Sequence, residues 1–192
     1  MGKIYYVMGK SSSGKDTIYK KLMKRHPEFH TIVPYTTRPI REGERDGVEY
    51  FFVDNDRLRE MQEAERVIEV RSYHTKCGIW TYFTADDGQI DLGKYDYLVI
   101  GTLVSYCALK DYFGEESLVP IYIEVEDGLR LSRALAREQQ QAVPLYAELC
   151  RRFLADGEDF AEKNLCKAGI ERRFQNLDLE ECVKEIEKYI GL

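Results

Sequence analysis

Three short apolar runs mark the predicted strands of this chain. Residues 4–8, 97–100 and 119–125 are almost unbroken apolar stretches, and the segments between them carry apolar residues at helical spacing. Unbroken apolar runs are typical of strands that are buried on both faces of a parallel sheet. The pattern therefore predicts an α/β protein with a central parallel sheet built from strand–helix–strand units.

Periodic apolar positions and end signals predict the helices. Residues 16–24 form a predicted helix that ends before Pro27, and residues 179–189 form a closing amphipathic helix. A third helix is expected over residues 127–138, with Asp127 as its N-cap. Three- and four-residue spacing places three arginines on one face of this helix: Arg130, Arg133 and Arg137.

The loop after the first predicted strand has the composition of a phosphate site. Residues 9–17 read GKSSSGKDT, close to the pattern G-x-x-x-x-G-K-[ST]. Glycines let backbone N–H groups surround phosphate oxygens, Lys15 adds a charge for the outer phosphates, and the next helix directs its N-terminus at them. The alternative is a turn rich in glycine and serine. The predicted contacts of a nucleoside triphosphate are Gly9, Ser11, Ser12, Ser13, Gly14, Lys15, Asp16 and Thr17.

One position in this phosphate loop departs from the pattern. Asp16 stands where a hydroxyl normally meets Mg²⁺, and a carboxylate beside a triphosphate repels it unless a cation lies between them. We hypothesise that Asp16 helps to hold Mg²⁺, with Thr17 supplying the hydroxyl.

Composition limits the classes of partner. The 192 residues are 44% hydrophobic and carry a formal net charge of −6, which argues against a general binder of nucleic acid or of anionic membranes. An anionic ligand must then be captured by local clusters of arginine and lysine. No stretch reads as a signal peptide or a membrane span, and five scattered cysteines suggest neither a disulfide framework nor a zinc site. A soluble cytoplasmic protein is expected.

A second candidate anion site lies in residues 36–50, which read TTRPIREGERDGVEY. Arg38 and Arg41 are suited to clamp one dianion because the planar guanidinium binds phosphate bidentately, and the Tyr50 hydroxyl adds a neutral donor. The four acidic residues of the same segment offer the alternative of a salt-bridged surface loop.

The spacing T-T-R-x-x-R-x-G-E-x-x-G-x-x-Y, after a strand, a phosphate loop and a helix, resembles the guanylate kinase family. The resemblance continues through Glu69, the arginine helix, Arg151-Arg152 and Gln175-Asn176, and so covers nearly the whole chain. It implies a P-loop NTPase fold in one domain over residues 1–192. The implied parts are a core of residues 1–33, 85–126 and 164–192, an inserted subdomain of residues 34–84 that binds the acceptor monophosphate, and a helical lid of residues 127–163.

The resemblance also implies a reaction, the ATP-dependent transfer of a phosphoryl group to a nucleoside monophosphate, with GMP as the expected acceptor and Mg²⁺ as cofactor. Arg38, Arg41 and Tyr50 would hold the acceptor's phosphate, and Glu69 would read the guanine edge. Asn176 matches a position that contacts adenine, although a plain loop asparagine is the alternative. Four residues would neutralise charge during transfer, namely Lys15, Arg133, Arg137 and Arg152; for the arginine helix, a solvated charged face is the alternative.

Departures from the family pattern fall in the acceptor region. Pro34 replaces a serine that helps to bind guanine, Cys77 and Trp80 replace two further contacts, and Thr102 lies where the family carries acidic residues. We expect Trp80 to fill core rather than to stack on a base. Two alternative functions stay open: a kinase of the ribose bisphosphate phosphokinase type, whose acceptor has no base, and a guanylate-kinase-like binding module without catalysis.

Overall fold

The computed structural model describes residues 1–41, 43–75 and 78–192. Its helices and strands follow in chain order: β1 Ile4–Met8, α1 Lys15–Arg25, β2 Tyr35–Thr36, β3 Phe51–Phe52, α2 Asn55–Glu63, β4 Val67–Thr75, β5 Gly78–Ala85, β6 Tyr97–Gly101, α3 Leu103–Phe113, β7 Leu118–Glu124, α4 Asp127–Gln139, α5 Tyr146–Asp159, α6 Glu162–Ala168, β8 Arg173–Gln175 and α7 Leu179–Ile190.

The central sheet has the strand order β6-β1-β7-β8, and all of its pairings are parallel. Its first three strands are the three apolar runs of the sequence, so the predicted α/β fold with a central parallel sheet is confirmed. The phosphate loop follows β1 at the carboxyl edge of this sheet, between the two neighbouring strands β6 and β7. This edge is where ligands bind in open α/β sheets.

The two faces of β1 explain why its sequence is apolar without alternation. Tyr6 and Met8 belong to a buried cluster with residues of α3 and α6, whereas Val7 packs with residues of α1 and α7. A strand covered by helices on both faces needs apolar side chains at every position.

A second sheet, with the order β3-β2-β5-β4, lies within residues 34–85. Strands β4 and β5 are antiparallel partners, and the short strand β2 pairs with β5. Tyr35, Met61 and Phe83 form a small buried cluster that joins helix α2 to this sheet. The boundaries predicted for the inserted subdomain and for the lid stay predictions.

Most of the predicted helix ends lie within one residue of the observed ones, but the predicted cap of α4 is wrong. The side chain of Glu126, not Asp127, caps this helix, accepting from the N–H groups of Gly128 and Leu129 at 2.8 and 2.9 Å. The Asp127 carboxylate instead accepts a hydrogen bond of 2.8 Å from Arg130, one turn further along. Across the described residues, no helix combines the length and the apolar character of a membrane span.

Candidate active site

Close packing shapes the phosphate loop at both of its flanking glycines. A Cβ atom on Gly9 would lie 2.5 Å from the carbonyl oxygen of Ile123 in β7, so the loop can leave the sheet here only without a side chain. Gly14 adopts a φ of 87°, which disfavours other residues, and a Cβ there would lie 2.2 Å from the Asn176 amide nitrogen. The helix α1 begins directly afterwards with Lys15.

Asn176 supports the loop from beneath. Its side chain is buried and donates from Nδ2 to the carbonyl oxygen of Ser13 at 2.7 Å, while its own carbonyl oxygen accepts from Arg133 at 3.0 Å. The structure therefore shows Asn176 as a contact of the phosphate loop itself. The adenine contact that was expected at this residue stays a prediction.

Arg130 is a second support that the sequence did not reveal. Its side chain is 1% exposed, donates to the carbonyl oxygen of Ser11 at 2.9 Å and to Asp127, and lies against the ring of Phe153. Asp156 accepts from the Ser11 N–H group at 2.8 Å. Helical spacing correctly places Arg130 beside Arg133 and Arg137, but spacing alone does not distinguish the buried arginine from those that reach the loop.

The four predicted catalytic residues line one cavity of about 670 Å³ above the phosphate loop: Lys15, Arg133, Arg137 and Arg152. Arg137 donates to the Ser12 hydroxyl at 3.3 Å, and its neighbour Arg133 reaches the residue beneath the loop. Arg152 extends from α5, and its Nε lies 3.8 Å from Glu148, beyond hydrogen-bonding distance. Of the pair 151 and 152, Arg152 is the one that faces this cavity.

A carboxylate and a hydroxyl group line this cavity, and both have oxygen atoms of the kind that coordinate Mg²⁺. Asp16 and Thr17 are exposed on the first turn of α1, and the Asp16 carboxylate lies 3.6 Å from the Lys15 ammonium. The described residues contain no group of three or more histidine, cysteine, aspartate or glutamate side chains arranged so that it could hold a metal ion by itself. Mg²⁺ commonly combines one or two carboxylates with substrate phosphates and water, so Asp16 and Thr17 suit an ion that phosphate oxygens complete.

A larger cavity of about 1,020 Å³ adjoins the first, and both are lined in part by Leu145 and Glu148. Four aromatic side chains contribute to its wall: Tyr50, Tyr73, Trp80 and Tyr82. The expectation that Trp80 fills core is wrong, because the ring is half-buried on the cavity wall and lies 5.6 Å from the Arg41 guanidinium. Cys77, which was expected in the same region, lies outside the described residues.

The two arginines of residues 36–50 have different surroundings. Arg38 is buried, forms a bidentate pair with Glu44 at 2.6 and 2.8 Å, and lies near the rings of Tyr50 and Phe52. The hydrogen bonds from Arg38 lower the pKa of Glu44 to about 2. Arg41 is exposed; its backbone N–H donates to Glu44 at 2.9 Å, whereas its guanidinium forms no ion pair with a carboxylate within the described ranges. The salt-bridged alternative thus applies to Arg38, and Arg41 keeps its charge for a ligand.

Glu69 is buried and already bonded on both carboxylate oxygens. Arg71 donates from Nε to Oε2 at 2.9 Å and from Nη2 to Oε1 at 3.2 Å, and the Thr84 hydroxyl donates to Oε1 at 3.0 Å. Arg71 also reaches the Thr102 hydroxyl at 3.1 Å from Nη1. Arg71 was not predicted as a site residue from the sequence. The available signal was its position two residues after Glu69, because residues two apart on a strand share a face.

Thr102 occupies the position where the resemblance implied a carboxylate. It is the N-cap of α3, and its hydroxyl lies 2.8 Å from that of Ser105, which accepts from the Tyr6 hydroxyl at 3.0 Å. A continuous set of polar contacts therefore joins β1, beside the phosphate loop, through Thr102 to Arg71 in the second sheet.

Comparison with known proteins gives a consistent result. Residues 1–78 match the family model described as guanylate kinase. The guanylate kinase of Synechococcus sp. (strain CC9902) is 29% identical over 206 aligned positions that cover 100% of this chain and 96% of that protein. The guanylate kinase of Parasynechococcus marenigrum (strain WH8102) is 27% identical, with 100% of both chains covered. A solved structure, the guanylate kinase of Anaplasma phagocytophilum, superimposes with a TM-score of 0.66 at 17% identity and covers 99% of this chain and 85% of its own, which shows a shared fold.

Proposed function

We propose that this chain, which is similar to guanylate kinases along its whole length, transfers the terminal phosphoryl group of ATP to a nucleoside monophosphate and converts GMP to GDP. One observation carries the proposal. The cavity that Lys15 and three arginines line adjoins, through the shared residues Leu145 and Glu148, a larger cavity whose wall includes Tyr50 of the predicted acceptor residues. Two anionic substrates can thus meet where the positive charge is concentrated.

The donor side supplies position and charge. Backbone N–H groups of the phosphate loop and the N-terminus of α1 face the phosphates of ATP, and Lys15 adds a cation for the outer phosphates. Arg133, Arg137 and Arg152 approach from the opposite wall and neutralise the charge that develops on the transferring group. In phosphoryl transfer this electrostatic stabilisation, with in-line positioning, accounts for most of the acceleration.

The acceptor side holds the monophosphate between the phosphate loop and the second sheet. The Arg41 guanidinium lies 5.6 Å from the Trp80 ring and has no ion pair among the described residues, and Tyr50 lies on the cavity wall. The Nε atom of Arg38 is buried and has no hydrogen-bond partner among the residues that the structure describes, so a phosphate oxygen would satisfy it, while Glu44 fixes the other two nitrogens.

Asp16 and Thr17 would hold Mg²⁺. When bound, the ion supplies positive charge that shields the phosphates of the donor. The cytoplasmic location and the lack of nucleic-acid and membrane partners, both expected from the sequence, stay predictions.

The test is ADP release from ATP and Mg²⁺ with a panel of acceptors: GMP, dGMP, AMP, UMP, CMP and ribose 1,5-bisphosphate. We expect turnover with GMP and dGMP, and its loss in Lys15→Ala. Lys10→Ala is the matched control, because this lysine lies in the same loop but its ammonium is 3.3 Å from Asp127 on the outer side. Full activity of Lys15→Ala would refute the proposed donor site.

A second candidate acceptor is a sugar bisphosphate. The observation that favours it is Glu69, whose two oxygens are bonded within the protein. Turnover with ribose 1,5-bisphosphate alone would assign this reaction. ATP binding without turnover of any acceptor would instead favour the binding-module alternative.

A further inference from the structure

The wall of the acceptor cavity exposes Arg71 where the family resemblance implied Glu69. Arg71 lines the cavity of about 1,020 Å³, and its side chain is 22% exposed. The Glu69 side chain is 4% exposed and does not line that cavity. A ligand in the cavity therefore meets the guanidinium before the carboxylate.

Arg71 keeps hydrogen-bond donors for such a ligand. A guanidinium has five N–H groups, and among the described residues three of them have acceptors, two in Glu69 and one in Thr102. The two that remain belong to Nη1 and Nη2. Neighbouring donors of this kind pair with two adjacent acceptor atoms, and O6 and N7 of guanine are such a pair.

Glu69 is poorly placed to read the base itself. Its carboxylate is 4% exposed and accepts three hydrogen bonds from Arg71 and Thr84, which leaves about one of its roughly four acceptor sites, too few for both guanine N–H groups. In its observed place the carboxylate fixes Nε and Nη2 of Arg71, so that the guanidinium has one orientation in the cavity. Thr102, the N-cap of α3, fixes the third nitrogen.

The cavity wall also favours a base over a purely anionic ligand. Four aromatic side chains surround the space next to Arg71, namely Tyr50, Tyr73, Trp80 and Tyr82. Aromatic faces suit the flat surface of a purine and offer little to a sugar phosphate.

We propose that Arg71 is the specificity-determining residue that reads O6 and N7 of guanine, and that Glu69 is its positioning residue. This inference rests on the proposed function, since it assigns the base contact of the same reaction. It predicts that the enzyme recognises the acceptor atoms of guanine more strongly than the donor atoms at N1 and N2.

GMP analogues that each lack one hydrogen-bonding group of the base test the proposal. The kcat/KM values of GMP, 7-deaza-GMP, which lacks N7, and IMP, which lacks the 2-amino group, are measured with the full-length chain and with Arg71→Ala. We expect the unmodified chain to use 7-deaza-GMP about tenfold less well than GMP, because a bidentate base contact contributes on this scale, and to use IMP about as well as GMP. In Arg71→Ala the ratio of GMP to 7-deaza-GMP falls to about one.

Two further variants distinguish a loss of guanine recognition from a general loss of folded protein. Glu69→Gln combined with Arg71→Met removes both charges and so avoids an unpaired buried carboxylate; it should show the same loss of discrimination if the single variant folds poorly. Arg66→Ala removes an exposed arginine just before β4 and should leave all three substrates unchanged.

The outcomes distinguish the inference from the proposed function. Equal discrimination against 7-deaza-GMP in the unmodified chain and in Arg71→Ala overturns the inference alone. Strong discrimination against IMP with none against 7-deaza-GMP also overturns it, because Glu69 would then read the donor edge. If the unmodified chain does not turn over GMP, the proposed function fails; the same comparison is then made by equilibrium binding, and equal affinities for GMP and 7-deaza-GMP refute the role of Arg71.

Discussion

The support of the phosphate loop by Asn176 makes a prediction that stability measurements can test. Asn176→Ala removes the Nδ2 donor that lies 2.7 Å from the carbonyl oxygen of Ser13, a residue with 0% exposure. A buried carbonyl that loses its partner costs about 1–3 kcal/mol. For a chain of this size each kcal/mol lowers the melting temperature by about 2–4 °C, so we expect a decrease of about 2–12 °C.

Asn176→Asp is the sharper variant, because it keeps the shape of the side chain and replaces the donor with an oxygen. That oxygen would face the Ser13 carbonyl oxygen across about the same gap, and the hydrogen bond from Arg133 goes to the main-chain carbonyl of residue 176, not to its side chain. We therefore expect Asn176→Asp to be less stable than Asn176→Ala, since an added buried charge without a partner is more costly than a missing hydrogen bond.

Thermal unfolding, followed by circular dichroism without nucleotide, measures both variants. The matched control is Gln175→Ala, because the neighbouring amide is exposed and bonds Glu124 at the surface; its removal should change stability by less than about 0.5 kcal/mol. If Asn176→Asp melts at or above the temperature of Asn176→Ala, the hydrogen bond to the loop does not contribute as described.

Three further predictions concern the arginines around the site. Arg152→Ala should lower kcat by about 10²–10³, since it removes one transition-state cation, whereas Arg151→Ala should mainly affect KM; equal effects on kcat would contradict the assignment of residue 152. Arg130→Met should destabilise the protein to urea by about 1–3 kcal/mol, because the Ser11 carbonyl oxygen and Asp127 lose their hydrogen bonds, and a loss below about 0.5 kcal/mol would refute its structural role. The hydrogen bonds from Arg38 lower the pKa of Glu44 to about 2, so the stabilisation by this ion pair is complete above pH 4.5 and is lost as the pH falls towards 2. The free energies of unfolding in urea of the unmodified chain and of Glu44→Gln should therefore differ by a constant amount between pH 5 and 8 and converge in acid. A difference that grows on acidification would contradict the ion pair.

Local patterns in the sequence were sufficient for the central sheet and the phosphate loop. The strand β1 is apolar at successive positions because helices cover both of its faces, so its burial is encoded in five residues. The loop is also local, because its glycines and Lys15 are neighbours in sequence. The resemblance then related Arg38, Arg41 and Tyr50 to a second site, which adjoins the first in the fold.

Contacts between distant segments were beyond local patterns. Arg130, Arg133 and Arg137 are equivalent by helical spacing, and only the packing of α4 against α5 and the loop makes the first of them buried. The neutralisation of Glu69 depends on a strand neighbour that no motif singles out. Trp80 was expected in the core because large aromatic residues usually are, and the hairpin of β4 and β5 instead presents it to a cavity.

The segment that begins α5 has a consequence for the thermodynamics of binding. Leu145 and Glu148 belong to the walls of both cavities, so a displacement of this segment changes the two binding sites together. A nucleotide that orders the segment on the donor side also prepares the acceptor side, without any direct contact between the two ligands. Linkage then requires reciprocity: the factor by which ATP tightens the acceptor equals the factor by which the acceptor tightens ATP.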